Sequence, residues 1–203
     1  MRDSSAGIGT LTFYSPLTNV VCGLGHGICD TDTGEILELM SGELVEASIV
    51  NIVKGADGSP GELKGKFSYN IISDITLNSE SGVYGKLSGS LGDATLTEIA
   101  LKQEVKSGEA QILCTVDGNT PKLYSCEISL RTSNFRQPTQ NLIVKITDKA
   151  LLNKTGGIVQ GMSGSPILQN GKLVGSFLAT YCGDIKSTLF RNLFCGYGSI
   201  YCL

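Results

Sequence analysis

Apolar residues in this chain come in short runs, and Gly, Asn, Asp and Ser cluster between the runs. The runs are rich in β-branched side chains, as in LVEASIVNIVKG (44–55), GKFSYNIISDITL (65–77) and NLIVKIT (141–147). Short β-branched runs bounded by turn residues are typical of strands. The pattern therefore predicts an all-β chain with few short helices.

Two hairpins and one short helix stand out within this pattern. The loop DGNTP (117–121) separates AQILCTV from KLYSCEISL, and Asn170-Gly171 lies between two further apolar runs; both are hairpin signals. Asp148 is placed to cap a helical turn, KALLNK, which Gly156-Gly157 ends. The pattern over residues 94–106 fits an extended or a helical segment equally.

The length of 203 residues suits one sizeable domain or two small half-domains that share an interface. No repeat of fixed period and no low-complexity linker interrupts the chain. We expect two β halves, residues 1–95 and 96–203, which together form one domain.

The charge balance is mildly acidic, with 16 Lys and Arg against 19 Asp and Glu. No long run of like charge occurs, so nucleic acid is not an expected partner. No apolar stretch approaches the roughly 20 residues that span a bilayer, and Met1-Arg2-Asp3 begins no signal peptide. We expect a chain that is soluble as made or an excised domain.

The seven cysteines include no CxxC pair, so a zinc site is not expected. Buried thiols are the favoured interpretation, and a disulfide between Cys22 and Cys29 is left open. The acidic cluster DTDTGE (30–35) is interpreted as a solvated turn rather than a metal site. The sequence thus predicts neither a metal nor a cofactor.

The stretch GIVQGMSGSPILQNGKLVG (157–175) places Ser163 on a tight turn between two apolar runs. A serine hydroxyl becomes a nucleophile when a neighbouring base takes its proton, and His26 is the one histidine in the chain. Gly161, two residues before the serine, lets the N–H groups of Gly161 and Ser163 point together as an oxyanion hole. His26 and Ser163 each follow an apolar run in a different half, and together they predict acyl-transfer chemistry.

Five segments closely resemble the peptidase domain of the SpoIVB family of serine endopeptidases from endospore-forming bacteria. They are RDSSAGIGTLTFY, LGHGICDTDTGE, KGADGSPGELKGKF, ITDKALLNKTGGIVQGMSGSPILQNGKLVG and CGYG. The resemblance covers nearly the whole chain. It implies a chymotrypsin-like double β-barrel with the active site in the cleft, where His26 comes from the first barrel and Ser163 from the second.

Two aspartates compete as the acid of a catalytic triad. The residue assigned in the SpoIVB family falls on Asp148, fifteen positions before the serine. In chymotrypsin-like barrels the acid comes from the first barrel, after the histidine, and Asp74 meets that description. Asp148 also suits a helix cap and Asp74 an exposed strand position, so a third outcome is that neither acid contacts His26.

Analogy with chymotrypsin-like enzymes suggests residues for the substrate pocket. The position six before the serine is Gly157, and Ser176, Phe177 and Leu178 are candidate pocket walls, which favours small or aliphatic substrate residues. Met162 stands where digestive proteases have an aspartate that pairs with a newly cut N-terminus. We therefore expect loop packing or a partner domain to hold Gly161 in place.

The resemblance also implies a biological role. Family members carry a membrane anchor and a PDZ domain, and they cleave a protein of a membrane complex in the space between mother cell and forespore. That cleavage leads to activation of a late mother-cell sigma factor. The alternatives are a catalytically silent protease-like binding or regulatory module, and an esterase, although the G-x-S-x-G elbow of α/β-hydrolases is absent.

Overall fold

The computed structural model describes residues 6–30, 32–56, 58–91, 94–130, 142–181, 187–192 and 199–202. Within these ranges the chain forms fourteen strands and one helix, α1 (Lys149–Thr155). The strands are β1 (Leu11–Ser15), β2 (Val20–Gly23), β3 (Glu43–Val53), β4 (Gly61–Ser79), β5 (Gly82–Leu87), β6 (Thr95–Glu98), β7 (Gly108–Cys114), β8 (Lys122–Leu130), β9 (Leu142–Ile146), β10 (Val159–Gln160), β11 (Pro166–Gln169), β12 (Lys172–Tyr181), β13 (Ser187–Asn192) and β14 (Ser199–Cys202). The predicted all-β fold is confirmed.

The strands form two curved sheets. The first has eight strands in the order β10-β4-β5-β2-β1-β14-β6, with β3 paired to β4 outside that path. The second is a closed barrel of six strands in the order β11-β12-β13-β9-β8-β7. Two curled sheets in one mostly β chain agree with a chymotrypsin-like double β-barrel.

Both predicted hairpins are confirmed in the closed barrel. Strands β7 and β8 pair antiparallel up to Cys114 opposite Lys122. Strands β11 and β12 pair up to Gln169 opposite Lys172, and the residues between them, Asn170 and Gly171, have φ of +53° and +76°. Two consecutive positive φ angles are what a two-residue hairpin turn of type I′ requires.

The sheets do not divide the chain at one point. Strand β6 begins at Thr95, and β10 and β14 lie much later in the chain, yet all three pair within the first sheet. The proposed division at residue 95 therefore describes the bulk of each half and stays a prediction. Residues 94–106, ambiguous in sequence, contain β6 and then a turn in which the Glu104 N–H donates to the Leu101 carbonyl.

The largest cluster of buried apolar side chains fills the closed barrel and extends to the first sheet. In β8 alternate residues are buried, as expected for a strand with one face on the core. Leu63 of β4 belongs to the same cluster as Met162 and Phe177. This shared core fixes the two sheets against each other where the chain passes from β10 to β11.

Four cysteines, Cys22, Cys29, Cys114 and Cys126, are thiols rather than members of disulfides. Cys29 is an exposed free thiol, so no bridge joins it to Cys22. Burial raises the pKa of Cys114 and that of Cys126 to about 12 each, because the thiolate is poorly solvated in the core. Within the described ranges, no helix has the length and apolar character needed to cross a bilayer.

Candidate active site

Residues 161–165, which we call the serine turn, connect β10 of the first sheet with β11 of the closed barrel. Gly161 has φ +98° and Gly164 has φ +92°, and these values favour glycine because a Cβ would clash with the backbone. The Ser165 N–H donates to the Met162 carbonyl at 3.0 Å and closes the turn. The glycines of GMSGS therefore let the chain turn tightly around the serine, at the junction of the two sheets.

Two backbone N–H groups of the serine turn, those of Gly161 and Ser163, have no acceptor within the described residues. The Gly164 N–H, by contrast, donates to the carbonyl oxygen of Phe177 at 2.8 Å. Ser163 itself is buried, with 7% of its surface exposed. The two N–H groups without an acceptor are those that the sequence assigns to an oxyanion hole.

Residues 24–28, which we call the histidine loop, follow strand β2 of the first sheet. Leu24 and Gly25 both have φ +66°, and for leucine that conformation costs about 1–2 kcal/mol. Such backbone strain in a non-glycine residue is found mainly at functional sites. His26 is half-buried, and its Nδ1 lies 2.8 Å from the Gly27 carbonyl oxygen.

Asn78, near the end of β4, attaches the histidine loop to the first sheet. Its Oδ1 accepts from the Ile28 N–H at 2.8 Å, and its Nδ2 donates to the carbonyls of Ile28 (2.8 Å) and Leu37 (3.0 Å). One side-chain amide thus fixes the backbone just after His26 through two hydrogen bonds to Ile28 and joins it to Leu37 through a third.

The serine turn and the histidine loop contact each other and share one neighbour on β12. A Cβ on Gly164 would lie 2.6 Å from the Leu24 nitrogen. The Phe177 carbonyl that accepts from Gly164 would lie 3.0 Å from a Cβ on Gly25. The structure therefore brings the segments of Ser163 and His26 together, although no hydrogen bond joins these two side chains within the described residues.

Asp148 is the N-cap of α1, which confirms the predicted helix cap. Its Oδ1 accepts from the Leu151 N–H at 2.9 Å and its Oδ2 from the Ser125 N–H at 3.5 Å. Both carboxylate oxygens are thus used beside the closed barrel. Among the described residues, no hydrogen bond connects Asp148 with His26.

Asp74 is exposed on β4, opposite Lys86 of β5 and Glu43 of β3. Asn78, which holds the histidine loop, lies four residues further along the same strand, and four residues span roughly 13 Å. In the described structure neither candidate acid is hydrogen-bonded to His26.

The four candidate pocket residues lie in different surroundings. The Gly157 carbonyl accepts from the buried hydroxyl of Thr155. Ser176 is buried, and its Oγ would lie 2.9 Å from a Cβ on Gly25, beside the histidine loop. The Phe177 side chain is fully buried in the core, and that of Leu178 lies outside the part described. Their role in a pocket stays a prediction.

Sequence reasoning missed the residues that hold the serine turn and the histidine loop. Besides Asn78 these are Thr10 and Thr12, whose hydroxyls donate to carbonyls of the serine turn. A partial signal exists in GTLTFY, where two hydroxyls alternate with apolar residues on a strand that would be expected to bury one face.

Comparison with models of protein families gave a match over most of the chain. A family model described as SpoIVB peptidase S55 matches residues 1–188, a range that includes the histidine loop and the serine turn. Searches of curated proteins and of solved structures found no match.

Proposed function

Because this chain belongs to the SpoIVB peptidase S55 family and is a serine peptidase of that type, we propose that Ser163 is its nucleophile and His26 its general base. The observation that carries the proposal is the contact between the serine turn and the histidine loop at the junction of the two sheets. A half-buried imidazole on a loop that packs against the turn of a buried serine supports proton transfer between the two.

In this mechanism Ser163 Oγ attacks a peptide carbonyl while His26 takes its proton. A carbonyl oxygen can only accept, so the 2.8 Å contact with Gly27 assigns the ring proton to Nδ1. The unprotonated Nε2 is then the base, and it later returns the proton to the leaving amine. Water releases the acyl group in a second step, again with His26 as base.

Stabilisation of the tetrahedral oxyanion falls to the N–H groups of Gly161 and Ser163. Both lack an acceptor within the described residues, so neither has to break a hydrogen bond there before it binds the oxyanion. Preorganised donors of this kind lower the barrier more than donors that must reorganise.

Asp74 and Asp148 are the two candidate acids of this site. Asp148 has the support of the family resemblance, and Asp74 that of the first-barrel position. Because neither carboxylate is hydrogen-bonded to His26 within the described residues, a dyad oriented by the Gly27 carbonyl is the third arrangement.

The substrate we propose is a protein that belongs to a membrane complex, cleaved in the space between forespore and mother cell. Its cleavage would signal the activation of a late mother-cell sigma factor, and a PDZ domain and a membrane anchor would recruit it. This role rests on the resemblance of the motifs around His26 and Ser163 to the SpoIVB family.

Labelling with a fluorophosphonate, read by intact mass, tests the proposal. The wild type should gain one adduct, and Ser163→Ala and His26→Ala should gain none in the same time, since their loss costs on the order of 10⁶ in kcat. Loss of the adduct in only one of Asp74→Ala and Asp148→Ala would name the acid. An adduct retained in Ser163→Ala would overturn the assignment.

A second candidate is a catalytically silent, protease-like binding or regulatory module. It is favoured by the 7% exposure of Ser163 and by the lack of a Ser163–His26 hydrogen bond within the described residues. A folded wild type that takes up no phosphonate would support this function and contradict the first.

A further inference from the structure

One segment, residues 8–12, lies against both the serine turn and the histidine loop, and we call it the linking segment. The Thr10 N–H donates to the Ser163 carbonyl at 2.8 Å, and the Thr10 carbonyl accepts from the Leu24 N–H at 3.1 Å. A single residue thus bonds through its backbone to the proposed nucleophile on one side and to the loop of the proposed base on the other.

The Thr10 side chain adds a contact to each end of the serine turn. Its Oγ1 donates to the Gly161 carbonyl at 3.3 Å and lies 3.3 Å from the Oγ of Ser165. One hydroxyl has one proton to give, so the hydrogen bond to Gly161 leaves Thr10 Oγ1 to accept from Ser165. The hydroxyl therefore bridges the first and last residues of the turn.

Two neighbours in the linking segment support this bridge. The fully buried Thr12 hydroxyl donates to the Gly164 carbonyl at 2.7 Å, and a Cβ on Gly161 would lie 3.2 Å from the Ile8 side chain. With Thr10, the segment thus holds the carbonyls of Gly161, Ser163 and Gly164.

These contacts matter because glycine rotates easily about φ and ψ. A rotation at Gly161 would turn its own N–H away from the direction of the Ser163 N–H, and the oxyanion would then lose a donor. Held at its carbonyl, Gly161 keeps φ +98°. Met162, between Gly161 and Ser163, is fully buried and carries no charge. Neutral hydrogen bonds and packing therefore hold the turn.

We propose that Thr10 is a positioning residue for the peptidase reaction. Its hydroxyl fixes the serine turn so that both oxyanion donors are aligned and the turn keeps its position against the histidine loop. The proposal rests on the proposed function. Thr10 does not have to contact the substrate for this role, so its loss should lower kcat rather than change KM.

The test compares Thr10→Val with Thr10→Ser, using hydrolysis of a protein substrate and the rate of fluorophosphonate labelling. Loss of one oxyanion donor costs about 10²–10³ in kcat, and misalignment of the turn should cost Thr10→Val about 10- to 100-fold, with KM changed less than about twofold. Thr10→Ser keeps the hydroxyl and should stay within about threefold of the wild type.

The matched control is Thr97→Val, which removes the hydroxyl of a buried strand threonine that makes a local hydrogen bond, to the Thr95 carbonyl at 3.1 Å. It should leave both rates within about twofold. If Thr10 acted only through its β-branched shape, Val would be tolerated better than Ser, and that order would overturn the proposal. Should Thr10→Val not fold, Thr10→Ala replaces it, since Ala and Ser differ only in the hydroxyl.

The two proposals fail in different ways. A wild type that is labelled, with Thr10→Val labelled at the same rate, would overturn the positioning role and leave Ser163 and His26 in place. A folded wild type that is not labelled would overturn both.

Discussion

The serine turn and the histidine loop are both at the junction of the two sheets, but they are held in different ways. The serine turn is bound by backbone groups of β12 and by the linking segment, with Ser163 almost fully buried. The histidine loop leaves His26 half-buried, and it is held by two hydrogen bonds between Asn78 and Ile28 and by the Leu24 N–H, which donates to the Thr10 carbonyl. The segment proposed to stabilise transition-state charge is thus held by more hydrogen bonds than the segment of the proposed base.

The largest effect is expected from Gly164→Ala, which forces the serine turn and the histidine loop apart. A Cβ there would lie 2.6 Å from the Leu24 nitrogen, at φ +92°, so strain and overpacking should lower the free energy of unfolding by about 2–5 kcal/mol. Activity should fall by more than about 100-fold, measured as labelling rate on folded protein.

Gly171→Ala is the matched control for that change. Gly171 also has a positive φ, +76°, but no atom lies within 4 Å of its Cβ position. It should lose only about 1 kcal/mol and keep its labelling rate. Equal losses in both variants would show that the close contact at Gly164 is unimportant.

A smaller effect is expected from Asn78→Ala, which releases the histidine loop. Three hydrogen bonds worth about 1 kcal/mol each are lost, so unfolding should become easier by about 2–3 kcal/mol and kcat should fall about tenfold. Asn70→Ala, which removes an exposed bond to Glu46, should change stability by less than about 0.5 kcal/mol. Unchanged kcat in Asn78→Ala would mean that the loop needs no such support.

The stability of the closed barrel can be probed by pH through its two buried thiols, Cys114 and Cys126. Burial raises each pKa to about 12 from an ordinary value near 9.0, so the folded protein holds these protons more tightly than the unfolded chain. Their contribution to stability is therefore complete below pH 9 and is lost as the pH rises from 9 to 12, at up to about 1.4 kcal/mol per pH unit and thiol. Denaturant unfolding of the variant with Cys114 and Cys126 both changed to Ala should show a smaller loss of unfolding free energy between pH 9 and 12 than the wild type shows. An equal loss in the two proteins would contradict the raised pKa of the two thiols.

The smallest effect is expected from substitutions of Asp148, which distinguish a helix-capping role from a catalytic one. Asp148→Ala should cost about 0.5–2 kcal/mol of stability, and Asp148→Ser, which keeps a capping oxygen, only a few tenths. If Asp148 acts only as a cap, Ser should also restore the labelling rate. A rate that stays low in a fully stable Ser variant would instead support Asp148 as the acid.

The strands, both hairpins and the helix cap were predictable because they depend on local pattern: β-branched runs, Asn170-Gly171, and Asp148 before KALLNK. The family motifs likewise predict that His26 and Ser163 belong to one site, and the structure brings their two segments into contact. The residues that hold the two segments were not predictable, because their hydrogen-bond partners are distant in sequence. Thr10 binds Gly161, 151 residues away, and Asn78 binds Ile28, 50 residues away. A lone hydroxyl or amide in a strand gives no sign of such a distant partner. The pairing of β6, β10 and β14 with the first sheet is long-range for the same reason.

The pairing of Ser163 as nucleophile with His26 as general base can be tested by trapping the acyl-enzyme from a peptide ester at acid pH and mapping the modified residue by tandem mass spectrometry. We expect acylation on Ser163 in the wild type and none in His26→Ala. Acylation on another residue, or acylation of Ser163 that persists undiminished in His26→Ala, would contradict it.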